Sequence, residues 1–181
     1  MKKEKYGQKQ VLVASGGSDP YGICLELAKE IVNCKELNDV DFNFIIGAQV
    51  DDKEISRLAW CSSNIFLHKN VTDMASLMAS CDAAISAGGV MLTELCAMKV
   101  PTIEYVMADN QQPNSDYYSS QGLMIYGGDV REDAKMVAKN IVNELVRILS
   151  DSIVLKSMKE RMNGICDGQG AMRIAKEILM G

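Results

Sequence analysis

The chain has 181 residues, with 19 basic against 24 acidic side chains for a formal charge of −5, and it is 48% hydrophobic and 24% charged. That length and composition suit one domain with a sizeable core, or at most two small ones, and exclude global disorder. The acidic balance, without a basic stripe, excludes nucleic-acid binding through a broad electrostatic footprint, although backbone amides can still hold a small anion.

Apolar runs and amphipathic stretches alternate along the chain. A strand is expected at residues 11–15, then a helix at 20–33 with Pro20 in its first turn. A second strand covers 42–46, a short helix 51–60, a third strand 65–68, and a helix 72–80 capped by Thr72 or Asp73. The fourth strand is 83–86, followed by helical spacing over 89–98 and a fifth strand over 101–106 that opens on a proline. A helix at 114–121 and a sixth strand at 123–126 come next, and the tail from Arg131 is helical with breaks near Ser150 and Gly164. Strands alternating with helices imply parallel pairing through right-handed crossovers. The expected fold is therefore α/β, a three-layer, Rossmann-like, doubly wound sheet of six strands in the order 3-2-1-4-5-6. Residues 1–10 read as a polar, linker-like segment and 11–181 as a single domain.

Six cysteines, Cys24, Cys34, Cys61, Cys81, Cys96 and Cys166, stand singly, with no C-x-x-C pair and no cysteine–histidine cluster at metal spacing. Buried free thiols are expected, with no metal site and no cofactor. The first ten residues are too polar for a signal peptide, and no apolar run approaches the roughly 18 residues that span a bilayer. A cytoplasmic protein without a membrane-spanning segment is expected. His68 is the single histidine; at the end of a strand it reads as structural, and it leaves little equipment for acid–base chemistry. The methionines read as core filler.

In a doubly wound sheet, ligands bind beyond the carboxyl ends of the strands where strand order reverses, here between strands one and four. Both strands run into glycine pairs. After strand one, Ser15-Gly16-Gly17-Ser18-Asp19 can bring a loop close to a phosphate, with a helix end behind it; the competing reading is an ordinary turn with Ser18 or Asp19 as helix cap. After strand four, Ser86-Ala87-Gly88-Gly89 opens a helix that carries Thr93 and Glu94. Glu94, about one and a half turns in, could accept hydrogen bonds from two adjacent ribose hydroxyls; otherwise it is a solvated helix-face acid. Beyond strand five, Asp109-Asn110-Gln111-Gln112-Pro113-Asn114 offers side-chain amides to sugar hydroxyls, N-acyl groups or phosphate oxygens, or else simply caps the next helix. Neither G-x-G-x-x-G with an acid closing strand two nor G-x-x-x-x-G-K-[ST] is present, which disfavours a dinucleotide fold and a P-loop.

These segments, with the stretch from Val71-Thr72-Asp73-Met74 onward and the closing Asp167-Gly168-Gln169-Gly170-Ala171 with Arg173-Ile174, resemble the C-terminal half of GT-B-fold nucleotide-sugar enzymes. Within that class the chain is most similar to SpsG-like spore coat polysaccharide proteins and the UDP-sugar hydrolases of pseudaminic acid synthesis, and more distantly to MurG-type N-acetylglucosaminyl transferases. The resemblance implies a domain that binds UDP or a UDP-sugar. Gly16, Gly17 and Ser18 would approach the diphosphate, Val71 would meet the uracil through its backbone, and Ser86, Gly88 and Gly89 would form a phosphate-contacting turn. Glu94 would hold the ribose, and Asn110, Gln111 and Gln112 would approach diphosphate or sugar.

It also implies that the catalytic base, a histidine in the hydrolases, lies in an N-terminal domain outside this chain, so no catalytic residue is assigned here. The expected function is nucleotide-sugar binding within a surface-glycan enzyme, hydrolase or transferase, acting on a UDP-linked amino sugar and inactive as this chain alone. The alternative is a non-catalytic donor-binding subunit that needs a separate partner chain.

Overall fold

A computed structural model describes residues 7–180. Its strands are β1 (Lys9–Ala14), β2 (Val40–Ile46), β3 (Ile65–Lys69), β4 (Ala83–Ala87), β5 (Thr102–Val106) and β6 (Ile125–Asp129). They form one six-stranded sheet in the order β3-β2-β1-β4-β5-β6, and every neighbouring pair is parallel. The helices are α1 (Ile23–Asn33), α2 (Lys53–Cys61), α3 (Met74–Ala79), α4 (Met91–Ala97), α5 (Gln112–Ser120), α6 (Val130–Ser150), α7 (Ser152–Arg161) and α8 (Gly170–Met180). Strand order reverses between β1 and β4, as the sequence pattern predicts.

Alternate side chains of the buried strands enter two cores. On one face Val11, Val13, Phe42, Phe44, Ile103 and Tyr105 pack with Ile23 and Leu27 of α1 and Ile141 and Leu145 of α6. On the other, Leu12 and Ala84 pack with Met78 of α3, Leu92 and Leu95 of α4 and Tyr118 of α5. The helices over each face thus hold the strand ends of β1, β4 and β5 at one common edge.

Several boundaries differ from the sequence expectation. Residues 1–6 of the linker-like segment lie outside the described residues, while Lys9 and Gln10 already belong to β1. Helix α1 starts at Ile23, and Pro20 sits in the turn before it, because the Asp19 carboxylate takes the amides of Ile23 and Cys24 at 2.9 Å each. Strand β6 runs on through Gly127 and Gly128, which the sequence reads as a stop. Glycine suits these positions because α6 packs too closely for a side chain: a Cβ on Gly127 would lie 2.6 Å from Ile141 Cγ1. The break near Ser150 is a cap, the Asp151 carboxylate accepting from Ile153 N at 2.9 Å. Helix α8 buries none of its residues, and Ile174, Ile178 and Leu179 are exposed along it.

All six cysteines are free; Cys24, Cys81 and Cys96 are buried, Cys34 and Cys166 half-buried, and Cys61 is exposed, contrary to the expectation of uniformly buried thiols. Burial pushes the Cys24 thiol up to about 12 and the Cys81 thiol up to about 11, which disfavours the thiolate at both. Among the described residues no helix is long and apolar enough to cross a membrane.

Candidate nucleotide site

The first loop leaves β1 at Ser15, which is buried, and passes through Gly16 at φ +87°, a conformation suited to glycine. Gly16 and Gly17 are exposed at the sheet edge. The loop after β2 braces them: Gln49 N donates to Gly17 O at 3.1 Å, and a Cβ on Gly47 would lie 2.3 Å from Gly16 O. Gly47, which no sequence motif marks, is thus the glycine that lets two loops meet. Among the described residues, the amides of Gly17 and Ser18 donate to nothing in the chain. The start of α1 is another matter. Asp19 already occupies its first amides, so the cap reading holds for Asp19, and the donors left to an anion are those of the loop.

The second loop leaves β4 at Ala87. Ser86 is buried and its hydroxyl donates to Ala87 O at 3.1 Å. Gly88 N donates to Tyr105 O and Gly89 N to Ala87 O, each at 2.8 Å. Both glycine amides are therefore spent in shaping the turn, and the amides without an acceptor among the described residues are those of Val90 and Met91. A side chain on Gly88 would crowd Gln111, with Cβ atoms 3.2 Å apart, so the two segments approach closely there. Thr93 is tied to α5, its hydroxyl 3.1 Å from that of Tyr118, whereas Glu94, in the first turn of α4, is exposed.

The amide run forms a turn over Asp109–Gln111 and then the first turn of α5. Gln111 Oε1 accepts from Met107 N at 2.9 Å, Gln112 Nε2 donates to Asp116 at 2.8 Å, and Asn114 Nδ2 reaches Gly88 O at 3.4 Å. Asn110 is exposed. Arg131, on α6, pairs with both Asp109 and Asp129 and so ties this turn to the end of β6. Underneath lies Glu104 of β5, fully buried, with Oε1 accepting from Ser115 Oγ on α5 and Oε2 unpartnered among the described residues. Burial pushes its carboxyl up to about 7. The sequence does signal it, as an acid in the middle of the buried run Thr102-Ile103-Glu104-Tyr105-Val106.

Val71 lies half-buried between β3 and α3, after Asn70 at φ 52°. Asp73, and not Thr72, caps α3, accepting from Ser76 N at 2.9 Å. Helix α3 then crosses back towards β4, with Met78 packed beside Leu12 and Ala84. The structure thus brings the Gly16–Ser18 loop, the Gly88–Gly89 turn, Glu94 and the amide run to the carboxyl edge of β1, β4 and β5, with Val71 on the same edge at β3. His68 stands apart: its Nε2 is 2.9 Å from Asn43 Oδ1, Asn43 in turn donates to Gln10, and partial burial lowers the imidazole pKa. That network is structural. Among the described residues no group of three or more acids, cysteines and histidine could hold a metal ion. A hollow lies at the opposite end of β1 and β2, beside Lys9, Leu37, Val40 and Leu149.

Residues 23–167 match the family described as "protein of unknown function (DUF354)". The chain belongs to that family. It is also 25% identical over 167 residues to the spore coat polysaccharide biosynthesis protein SpsG of Bacillus subtilis, covering 92% of this chain and 48% of that one. Over 129 residues it is 31% identical to the UDP-N-acetylglucosamine–N-acetylmuramyl-(pentapeptide) pyrophosphoryl-undecaprenol N-acetylglucosamine transferase of an Exiguobacterium species, covering 68% of this chain and 35% of that enzyme. The DUF354 chain therefore spans about half the length of SpsG, and less of the transferase. Among solved structures it superposes on Acinetobacter baumannii MurG with a TM-score of 0.67 at 14% identity, covering 99% of this chain and 54% of that one. A kitacinnamycin glycotransferase gives a TM-score of 0.71 at 21% identity over 98% of this chain and 44% of that one. The fold is the Rossmann-like one of GT-B glycosyltransferases, and the similar proteins are named for polysaccharide biosynthesis and glycosyl transfer.

Proposed function

We propose that this chain is the nucleotide-sugar-binding unit of a surface-polysaccharide enzyme, a hydrolase or transferase that acts on a UDP-linked amino sugar. The observation that carries the reading is the pairing, across the β1–β4 reversal, of a glycine loop with unpartnered Gly17 and Ser18 amides and an exposed Glu94. The loop amides suit a diphosphate, and the Glu94 carboxylate suits the two ribose hydroxyls. In this reading Gly16 gives the loop its close approach, and Ser86, Gly88 and Gly89 shape a turn that presents Val90 and Met91 to phosphate. Val71 receives the uracil through its backbone, and Asn110, Gln111 and Gln112 lie towards the diphosphate or the sugar.

The unit pins the donor, and amide donors offset charge that develops on the departing diphosphate. The base that activates water or an acceptor belongs to another domain or to a partner chain, since His68 is committed to Asn43. The spans of 48% and 35% of the two curated relatives support a unit that works with more protein than this chain holds. The setting is cytoplasmic, where nucleotide sugars are made.

Calorimetric titration with UDP tests the site. The chain is expected to bind, and Glu94→Ala to bind at least about tenfold more weakly, the loss of two hydrogen bonds to a charged acceptor. Equal binding by both proteins removes Glu94 from the site, and no binding by the unmodified chain removes the reading.

A further inference from the structure

Among the described residues, Glu104 is the one buried acid of the sheet's carboxyl edge that the proposed binding scheme leaves without a task. It sits between Ser86 of β4 and Tyr126 of β6 in the strand register, on the face opposite α6. Its Oε1 accepts from Ser115, and its Oε2 has no partner although the residue is fully buried. No cation among the described residues faces it. From α5 it meets Ser115 and the like charge of Asp116, and from β6 the Tyr126 phenol; β4 offers Ser86, whose hydroxyl is spent on Ala87 O. Helix α4 carries the buried Cys96 thiol, which burial keeps neutral, and Glu94, which is exposed. An ionised carboxylate in such a place is strongly disfavoured, and the neutral acid is favoured.

The groups around it make this protonation matter. Ser115 follows Asn114, which holds Gly88 O, and Gln111 packs its Cβ against Gly88. The Glu104–Ser115 bond thus fastens the first turn of α5 beneath the phosphate-contacting turn. Gly88 lies one strand spacing across and two residues beyond Ser86, about 8 Å away at ordinary strand geometry. A dianion placed there would raise the cost of ionising Glu104 by about one pH unit or more at the effective dielectric of such sites.

We propose that Glu104 is a positioning residue beneath the diphosphate: it holds α5 by accepting from Ser115, and a nucleoside diphosphate ester binding above it drives proton uptake onto Glu104. This rests on the nucleotide-sugar reading given above. Binding and protonation of Glu104 then favour one another by the same factor.

UDP-N-acetylglucosamine is the suitable probe, because its diphosphate diester does not titrate near neutrality. Calorimetry from pH 6 to 8.5 in buffers of different ionisation heat is expected to show affinity falling about tenfold across that range, with net proton uptake near pH 7.5. Glu104→Gln keeps an acceptor for Ser115 without a titrating proton. It is expected to bind within about threefold of the pH 6 affinity throughout, with no uptake. Should that variant fail to fold, Ser115→Ala is expected to move the midpoint of the binding profile to higher pH, because the lost hydrogen bond favours the ionised form. Binding with a profile that Glu104→Gln leaves unchanged, or a midpoint that Ser115→Ala does not move, overturns the coupling alone. Absence of binding by the unmodified chain at every pH overturns the nucleotide-sugar reading, and the coupling with it.

Discussion

Glu104 interrupts a strand whose neighbours, Ile103 and Tyr105, are fully buried apolar-core residues, and the interruption has a consequence for stability even without a ligand. Burial raises its carboxyl from 4.5 to about 7, so the folded chain holds a proton that the unfolded chain releases at lower pH. Below pH 4.5 both states are protonated and the folded state carries no penalty. As pH rises from 4.5 through about 7 the unfolded chain gains more from ionisation, and stability falls, levelling off above the folded value. The loss is at most about 3–4 kcal/mol, because each tenfold difference in proton affinity between the two states is worth about 1.4 kcal/mol. Urea unfolding at pH 5 and pH 8 is expected to show this fall in the unmodified chain and a markedly smaller one in Glu104→Gln; equal falls would place the titration elsewhere. At the same scale, Gly16 and Gly88 are legible as turn glycines at the sheet's carboxyl edge from their place after apolar runs. Gly47 is not, because what makes it necessary is the carbonyl of Gly16, reached only when two loops meet.

Among the elements, α1 shows how a helix end can be mistaken for a free anion site. The small residues before it suit a phosphate, yet Asp19 supplies its own carboxylate to the Ile23 and Cys24 amides. Asp19→Ala is expected to lower stability by about 1 kcal/mol, the usual worth of such a cap, as read from a denaturant midpoint shift with unchanged slope. A null effect would mean that water replaces the carboxylate without cost. The β4–α4 connection teaches a similar lesson. Its two glycines mark the turn correctly, but backbone bonds to Tyr105 O and Ala87 O consume their amides, and donation passes to the next residues. Strand and helix identities follow from the two- and 3.6-residue periods of the sequence. Element ends do not, since β6 continues through Gly127 and Gly128, where α6 leaves no room for a side chain.

For the whole molecule, one sheet edge gathers an open shelf of donors and acceptors, while the single histidine is locked to Asn43. The expected behaviour is binding without turnover. Incubation of this chain with UDP-N-acetylglucosamine, followed by chromatographic detection of UDP or free sugar, is expected to show no product above the rate without protein; sustained release would show that a catalytic group lies within it. The alternation of apolar strands and amphipathic helices by itself determined a parallel, doubly wound sheet, because right-handed crossovers leave few other arrangements, and the expected order is the one the structure has. With that order came the place of the crevice and the residues at its lip. Only the tertiary structure decided which of those groups remain free to meet a ligand. A hydrogen bond is settled by atoms from distant segments, and neither the spent amides of Gly88 and Gly89 nor the orphan oxygen of Glu104 has any signature in local spacing.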